Sequence, residues 1–188
     1  MNISCAIIAG GKAKRYNGLI KAFIEIDGKK IIDKNLELLK PIFQDIIIIS
    51  NNPSAFNEYQ DISIYSDYYQ EIGPLAGLHS ALKHCMNPSL FLMSSDLPYI
   101  SVEIINSLIN KYSQSDCDIL VPKIGNKLEP LFGIYNSNII EKLEAFIEKR
   151  ESFAMRDFFD NVNTNFLQLD NNKPNNLAFK NINSPKDL

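Results

Sequence analysis

The chain has 188 residues, 45% of them apolar and 22% charged, the composition of a soluble globular protein with enough apolar area for one core. That composition excludes a disordered chain, a collagen-like repeat and a coiled coil, and no run of ~18 apolar residues exists to span a membrane as a helix. The net charge of −3 is unevenly spread: the first 24 residues hold Lys12, Lys14, Arg15 and Lys21 and no acid, so a segment of +4 sits on a body of −7.

An acidic body is a poor partner for duplex nucleic acid, whereas a short cationic segment suits a small anionic ligand. By charge alone a solvated lysine-rich turn would look the same. The start has no basic n-region, and its apolar run over residues 5–9 ends at Gly10-Gly11-Lys12. No secretory signal is expected, and the expected compartment is the cytoplasm. Cys5, Cys85 and Cys117 are widely spaced, with no C-x-x-C pair, so they read as small hydrophobes. His79 and His84 lie five apart, not four with a Glu between as on a zinc helix. Both are expected to be ordinary helix residues.

In chain order, residues 4–8 read as a buried strand ending at Gly10-Gly11. A helical pattern starts at Ile31-Ile32 and stops at Pro41. Four isoleucines at 46–49 fit a central parallel strand covered on both faces. Residues 62–65 form a shorter strand, and residues 74–83 a helix with Pro74 in its first turn. Residues 90–93 are fully apolar and read as a strand, and residues 102–112 as an amphipathic helix capped by Ser101. A strand at 119–121 is expected to stop at Pro122, and another covers 131–135. A helix follows over 139–147, the Asn-rich stretch 170–176 reads as a surface loop, and Ser184-Pro185 as a helix start. This alternation predicts an α/β fold, a three-layer α/β/α sandwich on a mostly parallel, Rossmann-like sheet. Neither a second domain nor a linker is visible, so residues 1–188 are expected to form one domain.

Open α/β sheets bind ligands at the carboxyl ends of their strands. After the first strand, Gly10 and Gly11 allow close backbone approach and free N–H groups for oxyanions, and the following cations can neutralise phosphate. The segment is neither a Walker A loop nor a dinucleotide fingerprint. After the second strand come Ser50-Asn51-Asn52-Pro53, whose amides can read a base or ribose edge or simply make a turn. After the third come Asp67 and the glycine-flanked helix start Gly73-Pro74-Leu75-Ala76-Gly77. After the fourth comes Asp96-Leu97-Pro98, where a carboxylate can hold Mg²⁺ together with substrate phosphates or make an Asx turn.

These residues, in this order, resemble the molybdenum cofactor guanylyltransferases, within the nucleotidyltransferase superfamily. The resemblance rests on residues 8–15, Lys21, Asn52, Asp67, the segment 73–77 and Asp96-Leu97-Pro98-Tyr99, then on Glu129-Pro130-Leu131-Phe132 and Asn181-Ile182-Asn183-Ser184-Pro185. It implies transfer of GMP from GTP to the phosphate of molybdopterin with release of pyrophosphate and dependence on Mg²⁺. It implies catalytic roles for Arg15, Lys21 and Asp96, with Asp96 holding the metal. Nucleotide contacts would come from Ile8, Ala9, Gly10, Gly11, Lys21, Asn52, Asp67 and Asp96, and acceptor contacts from Asn181 and Asn183. It also implies a monomer in transient contact with proteins that deliver the cofactor, and neither nucleic acid nor membrane as partner. The chain departs from the family at Tyr16-Asn17, where Met-Gly is usual, and at Ile20, where an Asp is usual before the loop lysine. A related cytidylyl or sugar-phosphate nucleotidylyltransferase, and a GTP-binding homologue impaired in catalysis, are the alternatives.

Overall fold

The computed structural model describes residues 2–10 and 20–182. Gly11, Arg15, Asn183 and the helix start at Ser184-Pro185 lie outside the described residues. The elements are β1 (Ser4–Ile8), β2 (Glu25–Ile26), β3 (Lys29–Lys30), α1 (Ile31–Leu39), β4 (Ile46–Ile49), β5 (Ser63–Tyr65), α2 (Pro74–His84), β6 (Ser89–Ser94) and α3 (Val102–Ser113). They continue with β7 (Ile119–Ile124), β8 (Lys127–Leu128), β9 (Phe132–Asn136), α4 (Ile140–Lys149), α5 (Met155–Phe158), β10 (Thr164–Leu169) and α6 (Lys173–Ala178).

The main sheet has the order β10-β7-β9-β6-β1-β4-β5, with β8 on β7. β1 runs parallel to both β4 and β6, β4 to β5, and β7 to β10, whereas β9 runs antiparallel to β6 and β7. Side chains alternate along each strand, so β1 feeds two cores. Cys5 and Ile7 join Ile32, Leu36, Leu39, Ile105 and Leu108 on the face of α1 and α3. Ala6 and Ile8 join Leu75, Leu78, Leu143, Ile147 and Phe158 on the face of α2, α4 and α5. This is the expected three-layer α/β/α sandwich. Among the described residues no helix is long and apolar enough to cross a membrane. The three cysteines are free thiols, and burial pushes Cys5 far above the ordinary range.

Four local expectations change. β7 runs through Pro122 to Ile124, because Pro122 stands where β7 leaves β9, its partner at Ile119 and Leu120, for β8, its partner at Lys123 and Ile124. A proline lacks only the donor, and its carbonyl still accepts from the Glu129 N–H at 3.0 Å. β10 escaped notice because it is half exposed and packs only as the sheet's edge. The small hairpin β2–β3 is likewise an addition. Of the stretch read as loop, residues 173–176 begin α6, and Asn172 caps it by accepting from the Asn175 N–H at 2.9 Å.

Candidate active site

The carboxyl ends of β1, β4, β5 and β6 lie side by side, as parallel pairing requires. Asp96 is the best-buried acid there, 8% exposed. Its Oδ1 accepts from the Ser94 hydroxyl at 2.6 Å and its Oδ2 from the Lys21 ammonium at 2.9 Å. Its carbonyl accepts from the Ile182 N–H at 3.1 Å, and the next carbonyl, of Leu97, from the buried amide of Asn35 at 3.1 Å. The Ser95 N–H donates to the Ile8 carbonyl at 3.0 Å. Five contacts, one from Ser94 just before it and four from other segments of the chain, thus fix one carboxylate and its loop.

Lys21 reaches Asp96 across 75 positions. Lys21 opens a short 3-10 turn (Lys21–Phe23) preceded by Ile20, which packs partly buried on the α1/α3 core. Ile20 therefore serves as an anchor, and the acid facing Lys21 comes from the β6 loop instead of the neighbouring position.

Gly10 is exposed at the end of β1, and among the described residues a Cβ built there meets only Ile8 Cγ2 at 3.9 Å. Ile8 and Ala9 are buried, and the Ala9 N–H is already given to the Ile49 carbonyl at 2.8 Å. Gly77 in α2 is tightly placed: a Cβ there would lie 2.7 Å from Ile8 Cδ1.

After β4, Asn52 accepts from the Ser54 hydroxyl at 3.0 Å. Its neighbour Asn51 makes the contact that sequence reasoning did not single out. The Asn51 amide donates to Asp67 Oδ2 at 2.8 Å, and its oxygen accepts from the Asp67 N–H at 3.0 Å. Asp67 Oδ1 is buried with no hydrogen-bond partner among the described residues, and burial raises the Asp67 carboxyl above its ordinary range. The loop that carries it is clamped to α2. The Tyr68 N–H donates to the Ser80 hydroxyl at 2.9 Å, the Tyr68 ring stacks on His84, and Tyr69 meets the edge of His79. Both histidines are thus structural: His79 Nε2 also lies 2.9 Å from Glu144 Oε1, and His84 stacks on Tyr65. The loop ends at Gly73, whose φ of 66° only glycine adopts readily, before Pro74 starts α2.

On the other side of Asp96 a cavity of about 300 Å³ is lined by residues that include Ser94, Leu97, Glu129, Phe153 and Asn181. The structure thus brings together Lys21 with Asp96, Asn51 with Asp67, and Asn181 with the cavity beside Asp96. Among the described residues no group of three or more His, Cys, Asp and Glu could hold a metal by itself. One carboxylate does fit Mg²⁺, which keeps several waters and binds through one or two carboxylates plus substrate phosphates.

Residues 5–164 match the family model of the MobA-like NTP transferase domain. A probable molybdenum cofactor guanylyltransferase of Clostridium perfringens is 38% identical over 141 residues, 75% of this chain and 69% of that relative. A molybdenum cofactor guanylyltransferase of Vibrio campbellii is 30% identical over 187 residues, covering 98% of this chain and 92% of that protein. In three dimensions, the crystal structure of molybdopterin-guanine dinucleotide biosynthesis protein A from Archaeoglobus fulgidus superposes with a TM-score of 0.79 at 23% identity, covering 98% of this chain and 94% of that one. By the match of the family model over most of its length, the chain belongs to the MobA-like NTP transferase family.

Proposed function

We propose that this protein transfers GMP from GTP to the terminal phosphate of molybdopterin, releasing pyrophosphate. The names of its relatives support the reaction, and one observation carries the site: a nearly buried carboxylate, Asp96, held against the Lys21 ammonium at the carboxyl end of the sheet. An acceptor phosphate oxygen attacks the α-phosphorus in line, the bond to the bridging oxygen breaks, and pyrophosphate leaves with that electron pair. No covalent enzyme intermediate is needed, so the protein's work is positioning and charge stabilisation. Asp96 supplies the anionic ligand for Mg²⁺, and the bound ion would neutralise phosphate charge there. Lys21, released from Asp96 or shared with it, would meet the same phosphates, and the resemblance assigns Arg15 to them as well.

Asp67 supports guanine as the base. A carboxylate matches the paired N–H donors of a guanine edge, which cytosine, uracil and adenine do not present. Ile8, Ala9, Gly10, Gly11 and Asn52 complete the nucleotide side, and Asn181 and Asn183 belong to the acceptor side. In this reading residues 1–188 form one nucleotidyltransferase domain of a cytoplasmic monomer. The test is incubation with GTP, Mg²⁺ and molybdopterin, followed by mass spectrometry. The expected product is the pterin–guanine dinucleotide with one pyrophosphate per turnover; unreacted molybdopterin would refute the assignment.

A further inference from the structure

We propose that Glu129 is the specificity residue for the acceptor, its carboxylate taking the 2-amino-4-oxo edge of the pterin ring in the cavity beside Asp96; this rests on the guanylyl-transfer reading above. Strand order sets Glu129 apart from the nucleotide-side acid, although Pro74 at the start of α2 also lines this cavity. Asp67 and Asn51 follow β5 and β4, on one side of β6, whereas Glu129 precedes β9, on the other. β6 and β9 are antiparallel neighbours, and the Ser94 N–H donates to the Leu131 carbonyl at 3.0 Å. From that pair, the chain forward to Asp96 and the chain back to Glu129 leave the same end of the sheet, on strands ~5 Å apart. Ser94 lines the cavity while its hydroxyl holds Asp96, so a ligand in the cavity has its tail at the reacting centre.

The backbone around Glu129 is fixed. Its N–H donates to the Pro122 carbonyl at 3.0 Å, its carbonyl accepts from the Phe132 N–H at 3.1 Å, and the Tyr135 hydroxyl holds the Pro130 carbonyl at 2.5 Å. The side chain is 18% exposed. Oε1 is buried and lies 2.6 Å from the Lys127 ammonium, with no hydrogen-bond partner among the described residues, so contact with a ligand in the cavity falls to the other carboxylate oxygen. A carboxylate has roughly four lone-pair sites, so acceptor capacity remains beside Lys127. The walls are apolar at Leu97, Leu131 and Phe153, and the cation among them, Arg156, gives a guanidinium N–H to the Leu128 carbonyl at 3.1 Å. A carboxylate flanked by these apolar side chains fits a flat ring with two adjacent N–H donors on one edge. The pterin N3–H and 2-amino group are such a pair, and they repeat the donor pattern of guanine. The dinucleotide product would then be gripped at both ends by the same chemistry, through Asp67 on one side and Glu129 on the other.

The test compares Glu129→Gln with wild type in steady-state kinetics with GTP and molybdopterin. The amide keeps the size but replaces one acceptor oxygen by a donor. The KM for molybdopterin is expected to rise about 10–100-fold, the loss that goes with one hydrogen bond to a charged group, while the KM for GTP stays at the wild-type value. Glu129→Asp, which keeps the charge, is expected to recover part of the loss, and an unchanged melting temperature in both variants separates recognition from folding. An unchanged KM for molybdopterin overturns the proposal, and so does a rise confined to GTP, which would make the cavity the nucleotide's. Absence of product with the wild-type protein overturns the guanylyl-transfer reading itself.

Discussion

The two sides of Asp96 are built differently. The side proposed for GTP consists of loops that follow parallel strands, β1, β4 and β5, and its polar groups hold one another: Asn51 with Asp67, Asn52 with Ser54, Tyr68 with Ser80. The side proposed for the acceptor consists of the turn before β9, the one strand antiparallel to its neighbours on both sides, together with Phe153 and Asn181 beyond it. Parallel strands present their loops at one edge and so form the continuous rim proposed for the phosphates. The antiparallel β9 instead brings the start of a strand to that rim, beside the cavity that Glu129 lines. In the proposed reading the single carboxylate of Asp96, between the two, serves both substrates.

Several substitutions would break or sharpen this division. Asp96→Asn removes the charge that serves both sides. It is expected to lower kcat by about 10²–10³ with the melting temperature close to wild type, since Asn keeps the hydrogen bond from Ser94. Activity within threefold of wild type would exclude Asp96 from the centre. Lys21→Ala comes next, with a fall in kcat of about 10–100-fold that exceeds any rise in the KM for GTP, because charge on the leaving oxygens grows in the transition state. A change in KM alone would make Lys21 a ground-state contact.

Asp67→Asn bears on the nucleotide side only. The kcat/KM preference for GTP over ATP is expected to fall about 10-fold or more, with no change in the KM for molybdopterin. The same group gives a pH signature. Burial raises its carboxyl above the ordinary value of 3.8, and the ionised form is the one that accepts from guanine. As pH falls, Asp67 therefore protonates earlier than an ordinary carboxylate, and the KM for GTP rises at a pH above 3.8. Asp67→Asn should flatten that rise; a profile identical to wild type would assign it to another group.

The smallest effects concern packing. A Cβ at Gly133 in β9 would lie 2.6 Å from Val121 Cγ1 and 2.9 Å from the Leu120 carbonyl, a backbone atom that cannot yield. At Gly77 it meets the side chain of Ile8, which can partly turn, and the change to Ala gains helix propensity. Gly133→Ala is expected to cost about 1–3 kcal/mol and Gly77→Ala less, measured by urea unfolding; the reverse order would place the tighter contact at α2.

Much of this frame is legible in the amino-acid sequence. The short apolar runs at 5–9, 46–49 and 90–93 read as central strands, and strand ends draw attention to Asp67 and Asp96 because ligands bind there. What escapes the sequence has no local signature. The Lys21–Asp96 pair joins residues 75 apart, and Asn51 outranks Asn52 only once β4 and β5 are in register. β10 gains its identity from pairing with β7, since its own residues alternate weakly. Pro122 looks like a stop because a proline ends most ladders, and it is tolerated because the ladder changes partner around it. Glu129 belongs to a motif of the resemblance, but its place in the same cavity as Ser94 emerges only when β9 turns antiparallel to β6.

The measurement closest to the central claim is pyrophosphate release with GTP, CTP, ATP and UTP in parallel, each with Mg²⁺ and with or without molybdopterin. The account predicts release with GTP alone among the four, and only when molybdopterin is present, because the acceptor phosphate is the nucleophile. Preference for CTP, or equal release without acceptor, would contradict it.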